Sequence, residues 1–145
     1  MCIIIDKNKH GPFLQEPPTE DMQPIHDWIR KQGGKLVYST GGKFSEEFSG
    51  RAKARLDVYS QVNIAKLIPY EEVEEKLNKL DMDLLKSDDP HIIALALAAN
   101  VNLLYSSDRN LMDDFKNTSI MGTGNKGKIY SSAKNKNLLN RDTCP

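Results

Sequence analysis

Carboxylates are the residues of this chain whose placement could do chemistry. They fall in four short segments: CIIID with Asp6, SEE with Glu46 and Glu47, SDDPHIIALALA with Asp88 and Asp89, and LLYSSDRNLMDD with Asp108, Asp113 and Asp114. Acids that follow buried strands or open buried helices lie where an alternating strand and helix fold brings its edges together. There they would form a cluster. Clustered carboxylates repel one another and take up protons unless a cation joins them, and their oxygens suit a hard divalent ion. Each acid also has an ordinary explanation, since Asp89 and Asp108 both stand at helix starts, where an N-cap stabilises by about 0.5–2 kcal/mol. Three such acids in one small domain, without a nucleophilic Ser or Cys motif, point instead to a shared metal. The histidines do not join this set: His10 and His26 lack ligand spacing, and His91 is expected to pack or bond locally.

The elements that must position these acids alternate along the chain. Cys2 to Ile5 is an unbroken apolar run rich in β-branched residues, the mark of a strand buried on both faces. A proline-rich loop follows. Met22, Ile25, Trp28 and Ile29 then recur at helical spacing until Gly33 and Gly34. Leu36 to Tyr38 is a second short strand. Phe44, Phe48, Ala52, Leu56 and Tyr59 predict one long helix, and Val62 to Ile68 a strand that Pro69 ends. Val73, Leu77 and Leu80 mark another helix, with Glu71, Glu72, Glu74 and Glu75 in its opening turns, where the macrodipole favours negative charge. Asp89-Pro90 is a helix-start signal, and the helix from Ile92 to Ala99 is apolar nearly all round, hence central. Val101 to Tyr105 is a buried strand, and Asp108 opens a short helix through Leu111, Met112 and Phe115. Strands separated by helices imply an α/β fold with a mainly parallel sheet covered on both faces.

Bulk properties narrow the function classes. A chain of 145 residues is one domain by size. Twenty basic and twenty acidic residues cancel, so no strong global attraction to nucleic acid is expected. Charge is nonetheless uneven: Lys116, Lys126, Lys128, Lys134, Lys136 and Arg141 occur with no acid among them, whereas Glu71 to Asp89 carries eight acids against three lysines. The basic end could hold phosphates, or serve as a solubilising terminus. Cys2 and Cys144 sit near opposite ends, which argues for free thiols in a reducing, cytoplasmic setting. Asp6 arrives too early for a signal peptide, and no apolar run reaches the ~18 residues of a membrane span.

Two segments carry a resemblance. MCIIIDKN is similar to the first strand of the PIN domain family of Mg²⁺- or Mn²⁺-dependent ribonucleases, with Asp6 at its metal-binding position and Asn8 at the polar position after it. SDDPHIIALALAANVNLLYSSDRNL resembles the family's diagnostic stretch, which puts Asp89 rather than Asp88 at the metal position and Asp108 at the acidic position after the last central strand. The likeness covers about residues 1–116, leaving a basic extension of about 117–145 in which GKIYSS resembles a closing strand. It implies a three-layer sandwich with helices on both sides of the sheet. It also implies one further acid on the helix after the second strand. At about 100° per residue Glu47 lies nearer the Phe44/Phe48/Ala52 stripe than Glu46, and Asp114 nearer the buried side than Asp113.

The expected metal set is therefore Asp6, Glu47, Asp89 and Asp108, with Asp114 as an outer ligand, and the expected cofactor Mg²⁺ or Mn²⁺. The resemblance implies hydrolysis of RNA, by water that the metal activates, with no protein nucleophile. Asn8, Thr40 and Ser107 would orient waters or phosphate oxygens, and Lys43, Arg51, Arg55 and the C-terminal lysines would grip the RNA backbone. Many similar proteins are toxins of toxin-antitoxin pairs, so a small antitoxin protein and a homodimer are the partners it implies. Two alternatives stand beside this: a non-catalytic PIN-like module that binds RNA or protein, and a haloacid-dehalogenase-like phosphatase. The phosphatase usually has a second Asp two positions after the first, where this chain has Asn8.

Overall fold

A computed structural model describes residues 2–48, 50–124 and 126–140. Its centre is a five-stranded, wholly parallel sheet of β1 (Cys2–Ile5), β2 (Lys35–Tyr38), β3 (Ala65–Leu67), β4 (Leu103–Tyr105) and β5 (Lys128–Tyr130), in the order β3-β2-β1-β4-β5. The chain builds outward from β1 to β3, then returns to lay β4 on the other side of β1. The order thus reverses between β1 and β4, and a crevice at such a reversal is where open α/β sheets place their sites.

Side-chain alternation along the strands feeds two cores, one on each face. Cys2, Ile4, Val37 and Leu104 face α5 (Tyr70–Lys79), α6 (Pro90–Ala99), α7 (Arg109–Lys116) and α8 (Thr118–Met121) through Val73, Ile93, Leu111, Phe115 and Met121. Ile3, Leu36, Tyr38, Leu103 and Tyr105 face α1 (His10–Leu14), α2 (Gln23–Lys31) and α4 (Gly50–Gln61) through Phe13, Ile25, Trp28, Ile29 and Leu56. The expected three-layer architecture is therefore present. Among the described residues no helix is long and apolar enough to cross a membrane.

Three local expectations give way. The proline-rich loop contains the short α1. The single helix predicted from Phe44 to Tyr59 is two, α3 (Gly42–Glu47) and α4, because Phe48 is extended (φ −81°, ψ 124°). The reason lies in the layers: Phe44 of α3 packs in one core and Leu56 of α4 in the other, so the chain must cross the end of the sheet between them. Cys2 is disulfide-bonded rather than a free thiol, and Cys144, like Arg141, lies outside the described residues. The closing strand expected in GKIYSS is present as β5, which pairs with β4, and Tyr130 is fully buried.

The turn that launches α3 depends on glycine. Gly41 (φ 103°) and Gly42 (φ 49°) both take left-handed backbone, and a Cβ on Gly42 would also overlap the Tyr70 ring. Gly42→Ala should therefore lose about 1–3 kcal/mol of stability, from left-handed strain plus the displaced ring. Urea denaturation of the two proteins measures it, and an unchanged midpoint would show that α3 can be launched another way.

Candidate metal centre

Three carboxylates meet at the carboxyl edge of the sheet. Asp6 is the first residue after β1, and its backbone N–H continues the β1–β4 ladder by donating to the Tyr105 carbonyl (3.0 Å). Its side chain is therefore fixed in the crevice. It is 1% exposed, accepting from Lys7 N–H at Oδ1 (2.8 Å) and from the Ser106 hydroxyl at Oδ2 (2.7 Å). The Ser106 oxygen in turn accepts from Asp108 N–H (3.0 Å), which ties the loop after β4 to the loop after β1. Asn8 adds a second tie, its Oδ1 accepting from Ser107 N–H at 3.4 Å.

Glu47 is the last residue of α3, where the helix breaks over the end of the sheet. Phe44 and Glu47 are three apart and share a helix face, so together they grip one residue of α6: the Phe44 ring stacks edge-on with His91 (4.8 Å), and Glu47 Oε2 lies 2.9 Å from His91 Nε2. Glu46 is exposed. Asp89 occupies the N-cap position of α6 but does not cap it, since its side chain accepts no capping bond. Its carboxylate instead turns into the crevice, 4% exposed. Donor atoms of Glu47, Asp89 and His91 all lie within 4.8 Å of one another.

The electrostatics follow from this crowding. Burial, then repulsion from Asp89 and Glu47, outweighs the two hydrogen bonds and raises the pKa of Asp6 above its ordinary 3.8. For Glu47 burial acts upward too, but the His91 contact and the ammonium groups of Lys7 and Lys43 prevail, and its pKa is lowered. Lys7 Nζ stands 3.5 Å from Glu47 and 3.9 Å from Asp89, and Lys43 Nζ 3.7 Å from Asp89. Even so, Glu47 Oε1 and Asp89 Oδ1 are buried without a hydrogen bond, as is His91 Nδ1. Beside Glu47 is a largely apolar pocket of about 30 Å³, lined by Ile4, Val37, Phe44 and Phe48 with Lys7 and Glu47 among its few polar groups.

The expected ligand set is thus brought together only in part. Glu47 and Asp89 stand in one donor group, with Asp6 alongside. Asp108 is a working N-cap, accepting from Asn110 and Leu111 N–H at 3.0 and 3.2 Å, and reaches Asp6 only through the Ser106 hydroxyl. Asp114 does point inward while Asp113 is exposed, but its carboxylate is occupied by the backbone N–H groups of Lys86 (2.9 Å) and Ser87 (2.9 Å). It latches the loop that carries Asp89. His91, expected to pack or bond locally, instead meets Glu47 from forty-four residues away, and only that position opposite Glu47 shows it. Of the expected phosphate grips, Lys43 donates to the Asp88 carbonyl (2.8 Å) and Arg55 pairs with Glu16 (2.9 Å), whereas Arg51 is exposed.

No protein-family model matches the chain, and no curated protein or solved structure matches it at a significant level.

Two outcomes are expected. Because the folded-state pKa of Asp6 lies above its unfolded value, ionising it costs stability, a penalty that grows as pH rises from about 3.8 and persists at neutral pH. Asp6→Asn should accordingly gain in urea midpoint relative to wild type on going from pH 4 to pH 7 without divalent ions, and a constant difference would contradict this. Asp114→Ala should lose about 1–3 kcal/mol by leaving two amides unpaired, with faster hydrogen exchange at Lys86 and Ser87 as the local readout.

Proposed function

We propose that this protein is a divalent-metal-dependent phosphodiesterase that hydrolyses RNA, a PIN-type ribonuclease in its site plan. The observation that carries the reading is that Glu47 and Asp89, whose carboxylates lie in one donor group with His91 beside Asp6 at the sheet's reversal point, each keep a buried oxygen without a hydrogen bond. Buried carboxylates are stabilised by pairing or by a metal, and these two oxygens are met by ammonium groups at 3.5 to 3.9 Å. The donor set fits a divalent ion.

In this reading Glu47 and Asp89 hold the cation, and Asp6 stands beside it with its orientation locked by Lys7 N–H and Ser106. Mg²⁺ or Mn²⁺, when bound, supplies charge neutralisation of the phosphodiester and activation of water. Lys7, 48% exposed at its side chain, is then released from the acids and can turn toward a phosphate oxygen. Water is the nucleophile: its oxygen bonds to phosphorus as the bond to the leaving ribose oxygen breaks, and its proton passes out through the carboxylates. A toxin's role, with a small antitoxin as partner, is one setting for such an activity.

The same lysines favour a second reading. Lys7 and Lys43 already neutralise the acids, as they would in a PIN-like module that binds RNA or protein without cutting it. Incubation with single-stranded RNA under Mg²⁺ or Mn²⁺ separates the two. Hydrolysis that EDTA abolishes, and that Asp89→Asn and Glu47→Gln each slow by about 10²-fold or more, is expected of the enzyme. Binding without cleavage would leave the module; cleavage indifferent to EDTA would end the metal mechanism.

A further inference from the structure

The acidic cleft is not made of oxygen alone. We propose that His91 is a metal ligand, so that the cleft selects a transition-metal ion of the Mn²⁺ or Zn²⁺ type over Mg²⁺. This rests on the reading of the cleft as a divalent-metal site and names the ion that site prefers.

The argument begins with the protonation of the ring. His91 is 2% exposed, its Nε2 lies 2.9 Å from Glu47 Oε2, and its Nδ1 has no hydrogen-bond partner. With the proton on Nε2, that nitrogen donates to Glu47 and leaves on Nδ1 a buried lone pair that no donor meets. With the proton on Nδ1, Nε2 and the Glu47 oxygen face each other lone pair to lone pair, and the Nδ1 proton is itself unpaired. A doubly protonated ring again leaves the Nδ1 proton unpaired. Each state carries the cost of an unsatisfied buried group: a cation at Nδ1 would meet the orphaned lone pair of the first, and a cation between Nε2 and Glu47 Oε2 the opposed lone pairs of the second.

The spacing agrees. Bonds of about 2.0–2.2 Å from a divalent ion to imidazole nitrogen and carboxylate oxygen put neighbouring ligand atoms about 3 Å apart and opposite ones at most about 4.4 Å apart. The 2.9 Å contact of Nε2 with Glu47 Oε2 is the spacing of neighbouring ligands on one ion, and the 4.8 Å within which donor atoms of Glu47, Asp89 and His91 lie exceeds that of opposite ligands by only a few tenths of an ångström. The ring is also held in place, packed edge-on against Phe44 and seated in the first turn of a helix buried from His91 to Ala96. Imidazole beside two carboxylates suits borderline ions, whereas Mg²⁺ strongly prefers oxygen and water.

Calorimetric titration of the full chain with MgCl₂, MnCl₂ and ZnCl₂, without RNA, tests this. Wild type should bind Mn²⁺ and Zn²⁺ about tenfold or more tighter than Mg²⁺, and His91→Asn should lose about 10- to 100-fold for Mn²⁺ and Zn²⁺ while changing little for Mg²⁺. Pulsed electron paramagnetic resonance of the wild-type Mn²⁺ complex needs no variant, and should show hyperfine coupling to a directly bound imidazole nitrogen. Equal affinities for the three ions, or Mn²⁺ bound without nitrogen coupling, would overturn the role of His91 and leave the metal reading standing. Absence of binding by all three would remove both.

Discussion

Like charges buried together demand a compensating charge, and the crevice between β1 and β4 is organised by that demand. Asp6, Glu47 and Asp89 are each nearly or wholly shielded from water, so their repulsion is little screened. Every polar neighbour answers it. Ser106 and the Lys7 amide serve Asp6, His91 serves Glu47, and the Lys7 and Lys43 ammonium groups serve the remainder. Two oxygens still go without a hydrogen bond, which makes the arrangement incomplete as a structural device and intelligible as a binding one.

Topology explains why these residues meet. A parallel sheet that reverses its order leaves a gap beyond the carboxyl ends of the two strands at the reversal, and the loops that follow them converge there. Asp6 and Ser106 enter from those two loops. Glu47 comes from the break by which the chain passes from one face of the sheet to the other, and Asp89 with His91 from the start of the most buried helix. Asp114, on α7, fixes the approach to that helix by holding two backbone amides. A residue on a helix outside the crevice thereby sets the position of one inside it.

Much of this was legible in the sequence. Runs such as CIII and LLY are apolar at every position because their strands are covered on both faces, and that pattern identifies a parallel sheet directly. The choice of Glu47 over Glu46 and of Asp114 over Asp113 also followed from helical geometry, since a turn of helix has a definite inner side. Periodicity was silent where tertiary packing decides. The stripe from Phe44 to Tyr59 is continuous on paper, yet its two halves belong to opposite cores, so the break at Phe48 appears only once the layers are known. Asp89 and Asp108 look alike as helix-start acids, but the Asp89 carboxylate makes no capping bond and turns into the crevice, whereas Asp108 accepts from two amides. His91 had no signal, because its partner Glu47 is forty-four residues distant.

The last strand has a consequence in time. Tyr105, beside Asp6 in the β1–β4 ladder, is sealed by Tyr130 of β5, whose ring packs edge-on against it at 5.1 Å. During synthesis that seal is missing until α7, α8 and β5 have followed β4 out of the ribosome, so β4 waits meanwhile as a bare edge.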